Sequence, residues 1–304
     1  MLFILMFVGL AIQTWHGFYD YEINLYLKRL FLIEWTDYIL LCVLSFAVQT
    51  MVTNKYLGHF IIILYFLFGM FRGQLGLTHS LYYFGSGGGA PYSDMNGFTP
   101  YISKLFWYKF YWGSFAVLLA LSSNLLWKRG LVGDMNSRLK NAKYRLTPIT
   151  FYAFITFSLF FLGSGSYIFY NTNILNDFYP PKHYEKESIA FEKLFKKYEG
   201  RIQPKITSVN CTVDLYPKEA RVEFSGTYLL QNKNDHKIDT IYSAHKNWMY
   251  DNFDWGRPNE LVFYDSTLGW NMYVFDPPIQ PGDEFTLEFS GKRERKGFKN
   301  NSVD

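Results

Sequence analysis

The sequence predicts a membrane all-α region of about five transmembrane helices followed by a partial all-β sandwich domain. Three observations predict it. Of the 30 basic and 26 acidic side chains, residues 1–127 hold only 11. That half carries charge-free apolar stretches close to the length that crosses a bilayer. Beyond residue 205 the apolar residues alternate with polar ones, the period of a strand. A length of 304 residues suits about two domains. The net charge of +4 is too small to argue for nucleic acid.

Crossing the hydrocarbon core as a helix takes about 20 mostly apolar residues. Stretches 38–54, 56–71, 110–127 and 149–170 are charge-free and mostly apolar. Residues 2–15 are also charge-free and read as the end of a further span. Between the last two spans lies "KRGLVGDMNSRLKNAKYRL", with Lys128, Arg129, Arg138, Lys140, Lys143 and Arg145 against Asp134. Such a basic loop is expected on the cytoplasmic side. Counting from it places residues 16–36, 72–104 and everything after Tyr170 outside, and the connection with Lys55 inside. Trp107, Tyr108, Tyr111 and Trp112 then read as an interfacial aromatic belt, with Lys104 and Lys109 snorkelling beside it. Cys42 and Cys211 read as buried small hydrophobes, too few for a disulfide framework.

Residues 172–203 read as a linker holding an amphipathic helix. Phe191, Leu194, Phe195 and Tyr198 recur at helical spacing on one face. Glu192 and Lys196 are spaced for an i,i+4 pair, and Gly200 is a stop signal. Packing on the following domain is the expected use of that face. From residue 206, Val209, Cys211, Val213 and Leu215 alternate, then Val222, Phe224, Gly226, Tyr228 and Leu230 after a "YPKEA" turn. That is a hairpin with one apolar face. Further strands are expected at 238–245, 260–265, 270–275 and 285–290, the pattern of a β-sandwich over residues 204–304.

Chemical motifs are sparse. No histidine is followed by Glu, so the zinc motif H-E-x-x-H is absent, as are G-x-S-x-G and the phosphate loop. Gly85, Gly87 and Ala90 in "GSGGGAPYSDMNGF" match a dinucleotide fingerprint, but the flanks are membrane-like rather than βαβ. The loop instead suits tight turns. Ser93 or Asp94 is expected to cap a short helix after it. Asp94 and His79 are the tentative contacts for an external ion or substrate. No catalytic, metal-ligating or cofactor-binding residue is expected.

The stretches "NKYLGH", "YSDMNGF", "YNTNILN", "YEGRIQPKITSVNCTVDLYPKEARVEFSGTYLLQNK" and "MYVFDPPIQPGDEFTLEFSGKRERKGF" together resemble a bacterial family. That family, common in Bacteroidetes-like bacteria, fuses an ABC-exporter-type permease region to an aminopeptidase N-like zinc metallopeptidase. The resemblance implies that residues 1–171 are permease-like and residues 204–304 part of the β-rich domain beside the peptidase. Zinc and the catalytic motifs are expected only in a catalytic domain missing from this chain, which reads as a fragment inactive alone. Implied partners are the lipid bilayer, a separate ABC ATPase and peptides met through the catalytic domain. The implied location is the bacterial inner membrane, multi-pass, with the C-terminal domain periplasmic. The alternatives are a transporter permease subunit and a membrane-tethered β-sandwich that binds a partner.

Overall fold

A computed structural model describes residues 1–52, 54–127, 135–245 and 249–300. Residues 128–134, with Lys128, Arg129 and Asp134 of the basic segment, lie outside the described residues. The chain forms two compact units, one of residues 1–180 with the segment from Phe298 onward, the other of residues 181–297.

The first unit holds α1 (Leu2–Trp15), α2 (Ile23–Met51), α3 (Lys55–Phe71), α4 (Ile102–Leu126), α5 (Met135–Arg145) and α6 (Pro148–Ile174). Two helices, α2 and α6, are both long and apolar enough to cross a membrane. This corrects the expected five. Helices α1 and α3 are apolar but only 14 and 17 residues long. Helix α4 has 25 residues, yet Lys104, Lys109 and its serines dilute the apolar run.

Helix α4 is the packing centre of this unit. On one side Trp112 and Ala116 meet Leu40 and Val43 of α2. On the other, Tyr111 stacks on Phe161 at 4.5 Å and Trp107 meets Tyr167 at 4.3 Å. Partner numbers fall along α6 as they rise along α4, so these two helices are antiparallel. Trp112 is buried in these contacts and Tyr108 is buried against Ile168 and Phe298, so these two of the four expected belt residues are packed inside the unit. Lys104 is buried too and does not snorkel. Cys42 and Cys211 are both exposed, contrary to expectation.

The polarity of this unit is inverted. Its buried side chains include Thr50, Lys104, Ser114, Ser123, Arg138 and Ser164, while Ile39, Phe46, Phe60, Met70, Ile149 and Leu159 are exposed. Small polar residues between helices, with Phe, Leu and Ile outside, match packing in lipid. At one end the last carbonyls of the helices need partners. Arg138 donates to the Leu126 carbonyl and to that of Thr50. Arg145 donates to the carbonyls of Leu125 and Trp127 at 3.2 and 2.8 Å. Basic side chains thus gather where α2 and α4 end and α6 begins.

The second unit opens with α7 (Pro181–Phe195), followed by β1 (Lys205–Tyr216), β2 (Arg221–Gln231), β3 (Ile238–Ala244), β4 (Asn252–Asp254), β5 (Asn259–Asp265), β6 (Trp270–Ile279) and β7 (Glu284–Glu294). Two antiparallel sheets form, ordered β1-β2-β7-β4 and β3-β6-β5. Leu230, Ile238, Ile241, Trp255, Phe275 and Leu287 make their shared core. The amphipathic face of α7 packs within this unit. Phe195 stacks on Trp270 at 4.6 Å, and Phe191 meets the same ring edge-on. Tyr198 lies against Tyr242 at 4.8 Å. Strand alternation puts Trp270 on the face opposite Phe275, so α7 covers the outer face of the three-stranded sheet. The short strand β4 escapes sequence reading because three residues carry no period.

Candidate functional site

Two places in the helical unit collect the polar groups and open space that function needs. The first is the connection between α3 and α4, where both tentative site residues lie. His79 is buried, only 3% exposed. Its Nδ1 accepts the Leu81 N–H at 3.2 Å. Its Nε2 therefore carries the proton and donates to Thr172 Oγ1 at 3.1 Å. The Thr172 hydroxyl in turn donates to the Ile168 carbonyl at 2.8 Å. The Phe178 ring meets the imidazole edge-on at 4.8 Å. Burial pulls the His79 pKa down to about 4, so the ring is neutral at pH 7 with donor and acceptor both engaged. It ties the connection to the end of α6.

Asp94 is exposed. It sits in a tight turn closed by Ser93 and Gly97, whose backbones exchange hydrogen bonds of 2.6 and 3.3 Å. The short 3-10 turn before α4 is Thr99–Tyr101, with Phe98 at its cap and no side-chain cap bond. The expected Ser93 or Asp94 cap is therefore not made. Asp94 and His79 share no contact, so they do not form one site.

The glycine run has a different use from phosphate binding. Lys104 Nζ donates to the Gly88 carbonyl at 2.9 Å and to the Asn300 carbonyl at 3.4 Å. Asn300 Oδ1 accepts from the Ser80 N–H at 2.9 Å and from the Tyr108 hydroxyl at 3.1 Å. Gly88 has φ +70°, and a Cβ there would meet the Asn300 carbonyl oxygen at 2.8 Å. Only glycine lets the two backbones approach so closely. The loop closes around a buried ammonium held by carbonyls.

The second place is a cavity of about 860 Å³ between the start of α2, residues 92–99 and the start of α4. Ile23, Leu25, Leu32, Phe98, Ile102 and Phe106 make its apolar walls. Glu22, Lys28 and Lys109 also line it. Lys109 is committed to Asp37. The volume lies within the ~300–1,000 Å³ typical of small-molecule pockets. Apolar walls with a cation and an acid suit an amphiphile. Sequence reading missed this place, although Asp37 and Lys109, charged residues within largely apolar helices, were a visible signal. Among the described residues no group of three His, Cys, Asp or Glu is placed to hold a metal ion.

Comparison with known proteins places no relative beside the chain: no family model, curated protein or solved structure matches it.

Two outcomes follow from the geometry. Between pH 6.5 and about 4 the unfolded chain binds a proton at residue 79 that the folded chain refuses. Stability should therefore fall as pH drops through that window, by about 3 kcal/mol at most. His79→Gln should flatten that part of the unfolding-midpoint profile in detergent; equal slopes for variant and parent would contradict the assignment. Separately, Gly88→Ala forces a left-handed backbone on alanine against a carbonyl and should destabilise the helical unit by about 1–3 kcal/mol in urea unfolding.

Proposed function

We propose that the chain is the membrane-anchoring and accessory part of an aminopeptidase-type metallopeptidase. Helices α2 and α6 cross the bilayer, and the unit with the two sheets is the accessory β-domain. The observation that carries the membrane part is the inverted polarity of the helical unit. Water would not tolerate Ile149 at 83% and Met70 at 75% exposure on a surface so broadly apolar.

Orientation is supported by the basic end. Arg138 and Arg145 lie where α2 stops and α6 starts, beside Lys140 and Lys143. An excess of Lys and Arg favours the cytoplasmic side. The chain then leaves α6 on the opposite side, which in a bacterial inner membrane is the periplasm, where peptides are met. The peptidase part of this reading rests on the sequence resemblance. Zinc and the reacting groups would belong to a domain outside this chain, and a separate ATPase is not needed for anchoring.

The cavity favours a second reading, a permease-type subunit. Its apolar walls, with Glu22 and Lys28 in the lining, suit an amphiphilic cargo. Such a subunit would co-purify with an ATPase and stimulate its turnover when cargo is added.

Cys211 lies on the second unit and is exposed, whereas Cys42 lies within α2. A membrane-impermeant maleimide added to spheroplasts should label the parent and fail to label Cys211→Ser. Labelling of Cys211 only after the membrane is broken would reverse the orientation.

A further inference from the structure

Strand β1 is an open edge. It pairs with β2 alone, and no other strand among the described residues bonds its far side. All 12 of its residues are exposed. Register with β2 puts Ile206, Val209, Cys211, Val213 and Leu215 on the face shared with Leu230 and Tyr228. Leu230 is a core residue and Tyr228 packs against the core. Those five β1 side chains therefore point the way the core does but are left uncovered, Val209 at 58% and Leu215 at 69% exposure. Natural edges are usually guarded by proline, inward charge or shortness. Residues 208–216 contain no proline, and the one bulge lies between Ile206 and Ser208.

The charges on the other face give the partner. Asp214 stands opposite Glu223 across the β1–β2 pair. Glu223 is already bridged by Arg221 and Lys292. Asp214 thus has an acid on one side and an open edge on the other. Lys205 stands opposite the neutral Gln231. Neither Lys205 nor Asp214 has an ion-pair partner among the described residues.

We propose that β1 pairs with β1 of a second copy of this chain, antiparallel and centred on Asn210. A two-fold axis there is self-complementary. Stepping outward, Val209 meets the second copy's Cys211, and Ser208 meets its Thr212. The bulge removes Thr207 from the count, as it does on the β2 side. Ile206 then meets Val213, and Lys205 meets Asp214. Symmetry makes each pair twice. Without the bulge Lys205 would face Leu215 and both charges would stay open. Directly opposed residues share a face in antiparallel sheets, so apolar meets apolar and cation meets anion throughout. The result is one sheet of eight strands. This inference is independent of the anchoring proposal, since it concerns the sheet unit alone.

The test uses the full chain in detergent, with molar mass read by light scattering. The parent should be a dimer. Asp214→Lys and Lys205→Asp should each raise the dissociation constant about tenfold, because like charges then oppose each other twice. The double swap should restore it, which a folding defect could not do. In a Cys42→Ser background, Val209→Cys should give a disulfide-linked dimer under mild oxidant, and adding Cys211→Ser should abolish most of it. A monomeric parent overturns the proposal. So does a dimer indifferent to Asp214→Lys, which would place association on another surface. A monomer whose β1 amides resist hydrogen exchange would assign the edge to a different strand and also overturn it.

Discussion

A polar group enclosed by apolar helices has only its neighbours to bond with, and the helical unit is organised by that constraint. Lys104 finds two carbonyls. Arg138 and Arg145 find helix-terminal carbonyls. Lys109 finds Asp37, and His79 finds an N–H and a hydroxyl. An unpaired polar group in such surroundings costs several kcal/mol. These bonds therefore decide where the connections run. The glycine-rich stretch bends around Lys104 because an ammonium there needs backbone oxygen. The segment at Phe298 and Asn300 packs into the same unit because Asn300 serves the Ser80 and Tyr108 donors.

The sheet unit buries an apolar core, with Leu230, Ile241, Phe275 and Leu287 in it, and encloses Asn232 and Asn271 as well. Where the inward-facing row extends past the core, on β1, apolar side chains remain open. Helix α7 removes the same problem from the outer face of the other sheet, since Trp270 lies under Phe195 and Phe191. The two units thus differ in which side chains they leave exposed, and the division of charge along the sequence runs with that difference.

Much of the sheet unit was legible because alternation survives in its longer strands and turns carry Pro and Gly. The helix at residues 181–195 was legible through Phe191, Phe195 and Tyr198. The helical unit was less so. Hydropathy treats every apolar stretch alike, but α4 lies between α2 and α6 and carries polar side chains toward them. Counting spans from apolar runs gave five where two helices have both length and apolarity. The aromatic cluster of α4 read as a belt, since Tyr and Trp suit both an interface and an aromatic packing surface. The carbonyl cradle of Lys104 joins residues 88, 104 and 300, separations that no local pattern reports. The cavity likewise joins α2 to α4 across the chain.

The central claim is that lipid surrounds the helical unit. Extraction of membranes from expressing cells with alkaline carbonate tests it most directly. The chain should remain in the membrane pellet and leave only with detergent. Release of the chain into the carbonate supernatant as a soluble species would contradict the account.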